Sequence, residues 1–241
     1  MALTTRTETI AMPGGGSMDA FVVLPEAGSG PGVLVLMEIF GVGPYIRRAC
    51  ERLAELGYVA MAPDLYRRIA PGLELAHDDA GMAEAMETVQ RLDGEGAVAD
   101  AVVALGALRA LPEVGEGAPV GAVGFCLGGR LAFGLGAAGS PDAIVCYYGS
   151  GIADTLDSAG AISCPALFHF GGEDQFIPRA DAERVAEAVA QRPDWEIAIQ
   201  GDGGHAFDNH EAPRFHRPEA AARAWELTRD FLARRLPLRQ G

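Results

Sequence analysis

The stretch Val120-Gly-Ala-Val-Gly124-Phe-Cys126-Leu-Gly128-Gly129 decides the fold. Residues 120–125 are apolar or glycine and read as a buried strand, and residues 127–138 continue as a helix. Between them lies Gly-x-Cys-x-Gly. A side chain on a sharp strand-to-helix turn adopts strained backbone angles, and the residues two away must be small for the turn to pack. The helix starting at Leu127 aims free N–H groups and its positive end at the sulfur, which favours a thiolate and later an oxyanion. A buried structural cysteine beside a glycine-rich turn is the competing reading. Cys50 on a helical face, Cys146 within a strand and Cys164 before Pro165 are read as ordinary packing.

Outward from this turn the chain alternates short apolar runs with amphipathic segments. Strands are expected at 17–24, 32–37, 58–62, 120–125, 143–148, 166–170 and 195–200. Helices are expected at 45–56, 79–92, 97–111, 127–138, 179–191 and 218–235, with Gly94-Glu-Gly96 as a breaker. Strands apolar on both faces and alternating with helices indicate a parallel sheet covered on both sides. The expectation is one α/β domain over residues 1–241 with a mostly parallel, doubly wound sheet. The connection 149–165 is too short for a lid domain.

Composition narrows the function classes. The 241 residues carry 19 basic and 33 acidic side chains, a net charge of −14, and 49% are hydrophobic. Such a surface repels phosphate backbones and anionic lipid headgroups, so neither nucleic acid nor a membrane is expected as a partner. Every basic residue is arginine. A Schiff-base, phosphate-loop or general-base lysine is therefore excluded. Residues 1–16 show no apolar signal core, and the four cysteines show neither a CxxC spacing nor a disulfide framework. A reduced, cytoplasmic protein is expected.

A thiol nucleophile needs a histidine base, which in turn needs an orienting acid. Of His77, His169, His205, His210 and His216, His205 lies in the glycine-rich loop directly after the last expected strand. His169 reads as a core residue, and His210 and His216 as solvated. A zinc site built from His205, His210 and His216 matches no defensible spacing. For the acid, Asp174 is favoured, with Glu173 as the alternative, on the loop leaving strand 166–170. Asp202 and Asp208 stand too close to His205 along the chain to orient it. The order 126, 174, 205 is nucleophile, acid, histidine.

With these residues in place, the chain resembles the dienelactone hydrolase family. The resemblance rests on Met37-Glu38-Ile39-Phe40-Gly41, Ala62-Pro-Asp-Leu-Tyr66, Gly124-Phe-Cys126-Leu-Gly128-Gly129, Gly171-Gly-Glu-Asp174 and Gly203-Gly-His205-Ala-Phe207. It implies an α/β-hydrolase fold without metal or cofactor, acting on a small-molecule ester or enol-lactone through a thioester, as a monomer or small homo-oligomer. Oxyanion donors would be the N–H groups of Leu127 and Ile39. The resemblance also implies that Glu38 contacts the resting thiol and helps to activate it, where a buried structural carboxylate is the bland alternative.

The founding enzymes hold a substrate carboxylate with two arginines. The first aligns near residues 81–84, where there is none, and Asn209 stands at the second. Arg68 and Arg214 remain as substitutes, and without them neutral esters are expected to be hydrolysed at least as well as carboxylated ones. Two other classes compete: a non-catalytic small-molecule-binding or thiol-sensing protein, and a dinucleotide-binding oxidoreductase. The latter is disfavoured because residues 124–129 lack the GxGxxG spacing.

Overall fold

The computed structural model describes residues 3–238. Its strands are β1 (Thr4–Ala11), β2 (Ser17–Leu24), β3 (Gly32–Leu36), β4 (Val59–Pro63), β5 (Val120–Phe125), β6 (Ile144–Tyr147), β7 (Ala166–Gly171) and β8 (Trp195–Gln200). Its helices are α1 (Pro44–Glu55), α2 (Asp79–Gln90), α3 (Gly94–Arg109), α4 (Leu127–Ala138), α5 (Arg179–Val189) and α6 (Pro218–Arg235). One sheet runs β1-β2-β4-β3-β5-β6-β7-β8, parallel from β4 to β8 and antiparallel at β1 and β2.

Both faces of the sheet are covered, and the register shows how. Gly32 is level with Val120, and Val33 with Gly121, so Gly32 and Gly121 face opposite sides. A Cβ at Gly32 would meet Leu108 of α3, and one at Gly121 would meet Leu236 just beyond α6. On the α6 side, Arg52 of α1 lies 3.8 Å over the Trp225 ring, tying two helices together. Residues of β3, β4, β5 and β6 are buried along their whole length, as runs apolar on both faces require.

The structure departs from expectation at three places. β1 is an added edge strand, paired with β2 through a hairpin, and its mostly polar sequence gives no apolar signal. Gly94-Glu-Gly96 does not separate helices but forms the first turn of α3, where Glu95 meets the positive helix end. The segment after β6 contains a 3₁₀ helix, Ala153–Ala161.

The elbow depends on its glycines. A Cβ on Gly124 would lie 1.9 Å from the Gly128 carbonyl oxygen, and one on Gly128 would lie 2.0 Å from that of Leu36. Neither neighbour is a side chain that can rotate away. Gly128→Ala is expected to cost about 3 kcal/mol, the upper end for overpacking, and to lower the Tm by about 6–12 °C. An unchanged Tm in a thermal melt would mean that α4 does not sit this close to β3.

Candidate active site

Cys126 occupies the turn between β5 and α4 with φ 53° and ψ −115°. Its N–H is bonded to the Tyr147 carbonyl at 3.0 Å, and the Gly129 N–H returns to the Cys126 carbonyl at 2.9 Å. Only three described non-glycine residues have positive φ: Cys126, Tyr148 and Ala206. The first carries the thiol, the second packs its ring 5.3 Å from that of His205, and the third follows His205. Strain of this kind persists only where surrounding contacts fix it, and here it is confined to one locality.

His205, on the loop after β8, brings Nε2 to 3.2 Å from Cys126 Sγ. Its Nδ1 lies 2.9 Å from Asp174 Oδ2. The other Asp174 oxygen accepts from the N–H groups of Phe176 and Ile177 at 2.8 and 2.9 Å. Asp174 is thus both a turn cap and the partner of the imidazole. Burial alone would lower the His205 pKa; the charge of Cys126, hydrogen bonds to Asp174 and Cys126, and the charge of Asp174 reverse this and raise it to about 10. Exposed Glu173, the alternative acid, instead donates its N–H to the Gly203 carbonyl.

A second layer holds these groups. Tyr45 donates to Asp208 Oδ2 at 2.8 Å and lies 3.0 Å from the Tyr148 hydroxyl, while Arg52 reaches the same Asp208 oxygen at 3.0 Å. Asp208 therefore holds Tyr45, which in turn meets Tyr148, the tyrosine beside His205. His169 is a core residue bonded to Thr228 at 3.0 Å, and burial lowers its pKa to about 3. His210 is exposed and His216 partly so. No group of three or more His, Cys, Asp or Glu among the described residues is placed to hold a metal.

Leu127 opens α4, and neither its N–H nor that of Ile39 is bonded to a loop carbonyl among the described residues. The Tyr66 hydroxyl donates to the Ile39 carbonyl at 3.0 Å and so fixes that peptide. Glu38 is buried beside it. Its Oε2 accepts from Asn209 Nδ2 at 2.7 Å and lies 3.5 Å from His77 Nε2; Oε1 is buried without a partner. The expected contact between Glu38 and the resting thiol is not formed. His205 takes the thiol, and Asn209 supplies Glu38 with a donor elsewhere. Asn209 is thus a brace for Glu38, and His77, 2.9 Å from the same amide, joins it.

These groups border a cavity of about 270 Å³. Met82, Met86 and Val89 of α2 line it together with Phe176, Ala212 and Phe215. Met86 and Phe176 are 46% and 55% exposed, which marks the cavity's rim. The substitute arginines do not reach it. Arg68 joins Arg67 in clasping Asp100, and Arg214 projects into solvent 4.0 Å from Asp79. Neither is among the residues that line the cavity. Arg130, one helical turn beyond Cys126, does line it. Its spacing of four from Cys126 was the available signal.

The sequence model of the dienelactone hydrolase family matches residues 18–236. A carboxymethylenebutenolidase of Pseudomonas putida is 36% identical over 220 residues, covering 91% of this chain and 92% of its own length. One from another Pseudomonas strain is 35% identical, covering 98% of both. The crystal structure of a dienelactone hydrolase-like promiscuous phosphotriesterase from metagenomic libraries superposes with a TM-score of 0.81 at 26% identity, covering 98% of this chain and 99% of that one. With the family model matched over residues 18–236 and relatives matched over nearly their whole length, the chain belongs to the dienelactone hydrolase family of ester and lactone hydrolases.

Proposed function

We propose that the protein is a cofactor-independent cysteine hydrolase of small esters or lactones, working through a thioester on Cys126. The observation that carries this reading is the linear relay Cys126–His205–Asp174, with contacts of 3.2 and 2.9 Å. The Cys126 thiol gives its proton to His205 Nε2 as the sulfur attacks the carbonyl, and the tetrahedral oxyanion is held by the N–H groups of Leu127 and Ile39. On collapse the C–O bond breaks and His205 protonates the departing oxygen, leaving an acyl-thioester. In a lactone that oxygen stays tethered to the acyl group. Water, deprotonated by His205, then adds to the thioester, and the acid leaves as the thiol is restored. The carboxylated lactones named for the Pseudomonas relatives fit this chemistry. The test is rapid-quench mass spectrometry with a chromogenic ester. An acyl adduct on the peptide bearing Cys126, absent after alkylation, is expected; turnover undiminished by alkylation would reject the thioester.

Glu38 completes the proposal. With Oε1 unpartnered and Oε2 held only by neutral Asn209 and the adjacent imidazole, its carboxylate is positioned to turn toward the thiol when substrate enters. Glu38→Gln keeps the shape and removes the charge. Turnover is expected to fall about 10²-fold, the lower end for a group that moves a proton, with the Tm within about 4 °C. A lower Tm with normal turnover per folded enzyme would reduce Glu38 to a structural carboxylate and leave the relay untouched.

A further inference from the structure

Arg130 is the described arginine whose side chain makes no hydrogen bond, ion pair or ring contact with another described residue. Even the least engaged of the others hold a carbonyl, an acid or a ring. In a chain with 33 acidic residues an idle guanidinium calls for an explanation. Its position supplies one. The Arg130 N–H reaches back to the Cys126 carbonyl at 3.3 Å, so the residue stands one helical turn beyond the nucleophile, on the same face of α4. The side chain is exposed, yet it borders the cavity over Cys126 together with Ser150. It runs along a turn where residue 151 is glycine with φ +82°; a Cβ there would lie 3.4 Å from Nη1. The cavity wall beside it is apolar, formed by Met86, Val89 and Leu127.

We infer that Arg130 receives a carboxylate carried by the substrate, at the end remote from the scissile carbonyl. This rests on the reading of Cys126 as nucleophile. The substrate is then amphiphilic: an ester or lactone carbonyl over the thiol, an apolar middle against α2, and an anion at the rim. Arg130 belongs to the nucleophile helix, so this anchor is neither of the two arginine positions that the family resemblance supplied. It reverses the preference for neutral esters drawn from their absence. Asp93, Glu95 and Asp157 line the adjoining groove without pairing with Arg130. They repel an anion from that groove and leave the guanidinium as its place of rest.

Two substrates of one length decide the matter: monomethyl adipate, which carries one carboxylate, and dimethyl adipate, which carries none. At fixed low ionic strength, kcat/KM is expected to favour the anionic ester at least about fivefold. That is the top of the range for an exposed pair, reached because a guanidinium can hold a carboxylate by two bonds. The preference is expected to reside in KM, to shrink with salt, to fall within about twofold of unity in Arg130→Gln and to survive largely in Arg130→Lys. A wild-type ratio at or below one, or a ratio unaffected by Arg130→Gln, overturns the inference. Calorimetric titration with adipate separates this from the catalytic reading. If neither ester is turned over, or Cys126→Ala turns over both, the nucleophile assignment fails. Adipate binding weakened at least about fivefold by Arg130→Gln still supports the anchor, and equal binding by both proteins rejects it.

Discussion

Cys126→Ala is expected to lower ester hydrolysis by about 10⁴–10⁶-fold, the range for removing a nucleophile from a relay that acts as a unit. The loss should fall on chemistry and not on folding. Cys126 is half-buried, and its backbone strain at φ 53° is borne by β5, α4 and the Tyr147 carbonyl, none of which involves the sulfur. The Tm should therefore stay within about 4 °C of wild type, equivalent to about 1 kcal/mol. Thiol labelling provides an independent check. Cys50 and Cys146 are buried, and burial pushes their thiols far up; burial also raises Cys164, to about 11. Native protein at neutral pH should accordingly take up one equivalent of iodoacetamide, on Cys126, with activity lost in step. Full activity in Cys126→Ala would end the thioester mechanism whatever the fold.

The parts of the fold that could be read in advance are those where burial and chain-local pattern agree. β5, α4, β8 and α6 begin and end where the runs and breakers place them, because each is apolar where it packs and is bounded by a turn residue. β1 could not be read this way: Thr4–Ala11 is held by its hairpin with β2, and most of its side chains face solvent. The site divides likewise. Cys126, Asp174 and His205 each follow a strand, and the order β5-β6-β7-β8 gathers those strand ends at one edge of the sheet. Tyr148, Tyr45 and His77 matter through contacts with partners far along the chain, and nothing local in their sequence announces this. Asn209 stands in the sequence where an arginine is expected, and in the structure it holds Glu38.

His205→Ala is expected to lower kcat/KM by at least about 10²-fold, the lower range for a positioned acid–base group. Asp174→Asn gives the more informative loss. One carboxylate oxygen faces His205 Nδ1, and the other caps the turn at Phe176 and Ile177. An amide has a single acceptor oxygen and cannot serve both. If the oxygen stays with the turn, Nδ2 donates toward Nδ1 and selects the wrong tautomer, with Nε2 protonated and no longer basic. The expected cost is about 10²–10⁴-fold, bounded above by the loss known for the equivalent change in a serine-protease triad. The titration of His205 should move in the same direction. Burial lowers its pKa, and its rise to about 10 depends partly on the Asp174 hydrogen bond and charge. Asp174→Asn should therefore bring the imidazole down toward its ordinary range, followed by NMR of its ring protons. Glu173→Gln, altering an exposed side chain outside the relay, should leave rate and titration within about twofold of wild type. A normal rate in Asp174→Asn together with a collapse in Glu173→Gln would transfer the orienting role to Glu173 and require the loop after β7 to rearrange on binding substrate.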